Sequence, residues 1–230
     1  MSTLKEAILY AHLRGVKVHL TLNTLLKENE FVDAINLAKF AYEYGIDAII
    51  VQDLGLASYL INNFKGLDVH ASTQMTIHNL AGVKELEKIG FSRAVLSREL
   101  SLNEIKTITQ NSNIEIECFI HGALCISYSG QCLFSSMVGG RSGNRGKCAQ
   151  PCRLPYKLID NSNNILDKGY LLSPRDLCTL EMLPDLIEAN ISSFKIEGRM
   201  KSPEYVATVT RIYRKYIDFY LNHTSNTRKF

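Results

Sequence analysis

Six times along this chain a short alternating or apolar run gives way to an amphipathic helical pattern, with glycines at many of the seams. Strand-like runs fall at 16–22, 47–53, 69–74, 93–99, 114–121 and 193–199, rich in Val, Ile and Thr. Helical patterns fall at 30–44, 54–64, 76–89, 179–189 and from 203 onward. Gly15, Gly45, Gly66 and Gly90 stand where a helix should stop. Thr3-Leu4-Lys5-Glu6 and Ser101-Leu102-Asn103-Glu104 read as capping boxes that open two further helices. Such alternation predicts an α/β fold with a parallel sheet.

A closed TIM-type barrel needs eight strands, and the pattern supplies six. No G-x-G-x-x-G follows a strand, which argues against a dinucleotide-binding doubly wound sheet. The expected fold is therefore a TIM-type (β/α) barrel lacking its first two strands, with a Cys-rich loop insertion. Its partial barrel should span 1–221, the insertion about 122–178, and a polar tail 222–230. Missing strands would leave two open edges, which usually need cover from a protein partner or an oligomer.

The 230 residues are 46% hydrophobic and carry 26 basic against 23 acidic side chains. A net charge of +3 is too small to establish a nucleic-acid partner, so any basic patch must be local. The first residues lack the charged and apolar regions of a secretory leader, and no run of about 18 apolar residues occurs. The expectation is a cytoplasmic protein without a membrane partner. There thiols stay reduced, and cysteines serve metals or catalysis more than disulfides.

Four of the six cysteines crowd into the Gly- and Arg-rich excursion after the 114–121 strand. Cys125 and Cys132 are spaced C-x6-C, fifteen residues follow, and Cys148 and Cys152 are spaced C-x3-C. Soft thiolates hold zinc or an iron–sulfur cluster. The C-x2-C pairs of zinc ribbons are absent, and the wider spacing suits a larger object. Cys118 lies inside a strand opposite Glu117 and reads as a small buried hydrophobe. Cys178 is the reserve for one of the four. Arg141, Arg145, Lys147 and Arg153, with Tyr128, Phe134 and Tyr156 nearby, suit phosphate contacts and base stacking, or else balance an anionic cluster.

Polar residues end every strand run: Asn23, Gln52 and Asp53, Gln74, Arg98 and Glu99, His121, and Glu197 with Arg199. In a parallel barrel they would converge on one mouth. Lys195, Glu197 and Arg199 share one face of their strand, and charges pointing inward there must be paired or used. Glu117 raises the same question on its own strand.

Glu117-x-Phe119-x-x-Gly122-Ala123-Leu124-Cys125-x4-Gly130-x-Cys132 resembles the signature of the collagenase-like peptidase family U32. Gly143-Asn144-Arg145-Gly146-x-Cys148-Ala149-Gln150-Pro151-Cys152-Arg153, Leu172-Ser173-Pro174-Arg175-Asp176-Leu177 and Lys195-Ile196-Glu197-Gly198-Arg199 are similar to further blocks of it. The resemblance covers essentially the whole chain. It implies either proteolysis or hydroxylation, of a tRNA or 23S rRNA base or of a ubiquinone precursor, since members of the family are linked to each. It further implies a 4Fe-4S cluster on Cys125, Cys132, Cys148 and Cys152, with zinc as the alternative. Glu117, His121, Lys195, Glu197 and Arg199 become the candidate catalytic residues and RNA the candidate partner. Neither H-E-x-x-H nor G-x-S-x-G occurs, which weakens the collagenase-like peptidase reading. The incomplete barrel keeps a third reading open, a non-catalytic or inactive truncated subunit.

Overall fold

The structure, a computed structural model, describes residues 2–199 and 201–227. All six expected strands are present: β1 (His19–Leu22), β2 (Ala48–Val51), β3 (Asp68–Ala71), β4 (Arg93–Val95), β5 (Glu115–Gly122) and, late in the chain, β9 (Ser193–Ile196). They pair in parallel in the order β1-β2-β3-β4-β5-β9. Strand order thus follows chain order, without the reversal that defines a doubly wound sheet. The sheet does not close into a barrel: among the described residues β1 and β9 each pair on one side only.

Helices α1 (Ser2–His12), α2 (Glu28–Glu43), α3 (Leu54–Asn63), α4 (Leu80–Ile89) and α5 (Leu102–Asn111) fill the early part of the chain. The period-2 alternation of the strands decides which face they cover. Ile49, Val51, Val69, Ala71, Ala94, Leu96, Ile116 and Cys118 form one buried core with Ala34, Ala38, Leu56, Leu60, Val83, Leu86, Ile105 and Ile108 of α2 to α5. Each fully buried Leu or Ile there contributes about 1.5–3 kcal/mol of transfer free energy. Cys118 is 6% exposed, as a small hydrophobe should be. A second, smaller core gathers Ile120, Leu183, Leu186 and Tyr213 under α7 (Leu183–Glu188) and α8 (Pro203–Thr227).

Caps fix the helix starts. Ser101 and Glu104 make the expected capping box. Thr3 does not cap, because α1 already begins at Ser2 and places Thr3 inside its first turn. Asp53, read as a strand-end residue, caps α3: its Oδ1 accepts the Leu56 N–H at 3.0 Å and its Oδ2 that of Leu26 at 3.3 Å. Pro184 starts α7 instead of breaking it, since the first helical turn has no use for its missing N–H. The expected tail at 222–230 is helical through Thr227, because α8 runs on without a stop signal; 228–230 lie outside the described residues.

Between Gly122 and Leu177 the chain leaves the sheet. It forms the short helix α6 (Phe134–Gly139) and an antiparallel hairpin of β6 (Tyr156–Ile159) and β7 (Ile165–Gly169). It returns through β8 (Leu177–Cys178), which pairs antiparallel with the end of β5. Gly122 is required at the exit. It has φ +111°, and a Cβ there would lie 2.7 Å from the Cβ and carbonyl O of Glu197.

Candidate cysteine site and charged sheet face

The excursion folds back over the C-terminal ends of the parallel strands and is tied down on both sides. Arg145 reaches the β1–α2 loop, donating to the Leu25 carbonyl at 2.7 Å and pairing with Glu30. On the other side Arg199, just past β9, donates to the Gly146 carbonyl at 2.9 Å. Arg153 is consumed internally, by Ser173 Oγ at 2.7 Å and by the Pro174 and Leu124 carbonyls at 2.6 Å. Of the four cations expected to meet phosphate, Arg153 is therefore a strut of the loop and Arg145 links the loop to α2. Lys147 stays exposed, as does Arg141, whose Nε donates to the Lys147 carbonyl.

Cys125, Cys132, Cys148 and Cys152 all line one cavity of about 170 Å³, with Gln74, Arg98, Tyr128 and Asn144 among its other walls. Burial pushes the Cys125 thiol above its ordinary value, and the neighbouring Cys132 and Cys152 push it further in the same direction. The Gln150 N–H donates to Cys148 Sγ at 3.3 Å, the kind of N–H···S bond that tunes a bound cluster. Among the described residues no three Cys, His, Asp or Glu side chains are grouped to hold a single metal ion. Four soft donors spread around one cavity fit a polynuclear cluster better than a single tetrahedral ion. Cys178 lies elsewhere, with its Sγ 3.8 Å from Tyr213 Oη.

Below the mouth, the sheet face away from the helices carries charge. Glu117, 5% exposed, accepts from Lys195 Nζ at 2.7 Å, Arg93 at 3.0 Å and Ser193 Oγ at 2.9 Å. Burial alone would raise its pKa, but Lys195, Ser193 and Arg93 together hold it below the usual carboxylate range. His70 faces the same group, with its ring 5.0 Å from that of His19. Burial, then Arg93, then His19 lower its pKa from 6.5 to about 4, and its Nδ1 is buried without a hydrogen bond. Higher up, Arg98 pairs with Glu197 at 3.2 Å, donates to the Ala123 carbonyl and lies 3.9 Å over the Phe119 ring.

The five candidate catalytic residues thus separate into three groups. Glu117 and Lys195 form a buried ion pair. Glu197 and Arg199 follow β9, where Glu197 pairs with Arg98 and Arg199 meets the excursion at Gly146, and are joined by a hydrogen bond from the Arg199 N–H to Glu197. His121 turns toward α8, with Nδ1 3.4 Å from Tyr213 Oη and its ring against Tyr205 and Tyr213. The irregular register between Phe119 and His121 accompanies this turn. Sequence reasoning passed over Arg93 and His19 and had His70 only as a conceivable base for a peptidase cysteine; the usable signal was strand alternation, which puts Arg93 on the face opposite Ala94 and His70 on the face opposite Val69 and Ala71.

The family model of peptidase family U32 matches residues 1–230. The chain belongs to peptidase family U32. It is 42% identical over 219 residues to the 23S rRNA 5-hydroxycytidine C2501 synthase of Escherichia coli, covering 95% of this chain and 33% of that protein. It is 44% identical over 227 residues to an uncharacterized protease of Methanocaldococcus jannaschii, covering 94% and 55%. With the tRNA hydroxylation protein P1 of Bacillus subtilis it shares 39% identity over 229 residues, covering 96% and 54%. This U32 chain therefore spans between a third and just over half of the length of these relatives. Among its described residues no helix is long and apolar enough to cross a membrane.

Proposed function

We propose that this U32 chain is the cluster-bearing part of an enzyme that hydroxylates a pyrimidine base of tRNA or 23S rRNA in the cytoplasm. The observation that carries the reading is the convergence of Cys125, Cys132, Cys148 and Cys152 on one cavity over the strand ends. The names of two relatives, an rRNA hydroxycytidine synthase and a tRNA hydroxylation protein, supply the reaction class. Cys125, Cys132, Cys148 and Cys152 would hold a 4Fe-4S cluster, which supplies one-electron chemistry when bound. Around it, Tyr128 is 64% exposed at the cavity rim and offers a stacking face to an unstacked base. Arg141 and Lys147 offer cations to the RNA backbone. Arg98, fixed by Glu197 and the Ala123 carbonyl, places a positive charge on the cavity wall.

The sequential strand order supports a TIM-type barrel whose remaining strands come from outside this chain, from a flanking segment, a partner or a second copy. A peptidase needs a thiol or hydroxyl beside a base. Among the described residues no cavity cysteine hydrogen-bonds a histidine, so the cluster reading is preferred.

Anaerobic reconstitution of the purified protein should give a brown product with about four iron and four sulfide per chain. Serine at any of the four cavity cysteines should abolish that stoichiometry, and Cys178→Ser should keep it. A chain that takes up neither iron nor sulfide would sink the cluster. Mass spectrometry of tRNA and rRNA from a deletion strain should show one hydroxylated pyrimidine missing, and unchanged RNA would sink the substrate assignment.

A further inference from the structure

Ser129 lies between Cys125 and Cys132 and is buried, at 7% exposure, in a loop whose neighbours Tyr128 and Gln131 are exposed. Every polar group it has is engaged by the sheet's own mouth loops. Its N–H and its hydroxyl both donate to Glu99 Oε1, at 2.9 and 3.1 Å. Its Oγ accepts the Arg98 N–H at 3.3 Å. Its carbonyl accepts the Thr76 hydroxyl at 2.8 Å. The next residue, Gly130, has φ +75°, and a Cβ there would sit 2.4 Å from the Gln74 carbonyl O. The loop between the two cysteines is thus pressed against the β3–α4 and β4–α5 connections with no room for a side chain.

Thr76 carries a further sign. It is a β-branched residue in the left-handed region, at φ 60° and ψ 47°, a conformation that costs on the order of 1–3 kcal/mol. Glycine would hold this turn with less strain. What threonine adds is the hydroxyl that meets Ser129 and also accepts from Gln131 Nε2 at 2.7 Å. Backbone strain retained for a hydroxyl that makes two hydrogen bonds to the cysteine loop marks that hydroxyl as more than a turn former. His78 Nε2 lies 3.3 Å from Glu99 Oε2.

We propose that Ser129 is a clamp point, and that Glu99 and Thr76 are positioning residues which fix the Cys125–Cys132 loop for the group the cysteines hold. The clamp belongs to the folded chain and is measurable without any cluster, whereas its purpose rests on the cluster reading above.

Two variants test it, Thr76→Gly and Glu99→Ala, each as the full chain with and without reconstitution. In the cluster-free chain, amide exchange across 126–131 should speed up roughly tenfold to a hundredfold in both. Thr76→Gly should change the melting temperature little, because the relieved strain offsets the two lost hydrogen bonds, while still loosening the loop. A purely structural role could not produce that split. After reconstitution both variants should lose iron and sulfide in air several-fold faster than the parent, and Thr76→Ser, which keeps the hydroxyl, should behave as the parent. Unchanged exchange at 126–131 would overturn the clamp. Faster exchange with cluster retention like the parent's would overturn its positioning role. If the parent itself binds no iron or sulfide, the cluster reading and with it the positioning role fall, and the exchange measurement alone decides the clamp.

Discussion

Single residues on the sheet's charged face set how this protein responds to acid. His70 has its folded pKa lowered from 6.5 to about 4, by burial first and Arg93 second. Between those values the unfolded chain takes up a proton that the native chain refuses. Stability is therefore fully present above about pH 6.5 and falls as pH drops through that window, by at most about 3 kcal/mol. Glu117 has the same sign in a lower window. Its folded pKa lies below 4.5, so its contribution is present above that value and is lost as pH falls through the folded one. Urea unfolding between pH 7.5 and 4 should show the loss, and His70→Phe, which cannot titrate, should flatten it above pH 4.5. An equally steep slope in the variant would assign the acid sensitivity to another group. Breaking the neighbouring ion pair acts at every pH. Glu117→Ala leaves Lys195 without its carboxylate and Arg93 with Glu115 alone, and should cost about 3–5 kcal/mol in the same assay.

Whole elements were easier to read than their ends. Six strands and the helices between them were legible because periods of 2 and 3.6 persist through each run, and because Ser101 with Glu104 and a glycine such as Gly90 mark boundaries chemically. The strand ends were read too long: 93–99 contracts to Arg93–Val95, since Ser97 bonds to the β3–α4 connection and Arg98 and Glu99 meet the excursion instead of a neighbouring strand. Strand β8 has two residues and the β6–β7 hairpin bears no alternation, so neither left a periodic trace. The four cavity cysteines could be grouped from their spacing, but excluding Cys178 needed the fold, which turns it to Tyr213. Asp53 shows the reverse error, a polar strand end that looked like a site residue and serves the backbone. Because it caps α3 and also holds the Leu26 N–H, Asp53→Ala should cost about 1–2 kcal/mol, the upper part of the range for a cap. Thermal unfolding of the variant checks this, and Asp53→Asn, which keeps an acceptor oxygen, should recover most of the loss.

At the scale of the molecule, the sheet presents a contradiction that association would resolve. One face is buried under helices, whereas the other holds Glu117, Lys195, Arg93 and two histidines in largely desolvated contact. Strands β1 and β9, at either end of that face, each lack a second neighbour among the described residues. Unpaired edges template pairing with other strands, and a buried charged face is costly to leave half-covered. The apolar residues Leu9, Tyr10, Leu13 and Val16 near the β1 edge are 50–85% exposed and strengthen the tendency. The isolated 230-residue chain should therefore self-associate with rising concentration in sedimentation experiments. Thr21 lies on the edge strand β1 and is exposed, on the same side of the strand as His19. An inward charge on an edge strand opposes strand addition, so Thr21→Lys should shift the distribution toward the monomer. A wild-type chain that stays monomeric at high concentration would show that its edges are blunted without added strands, and would remove the main support for completion of the barrel from outside.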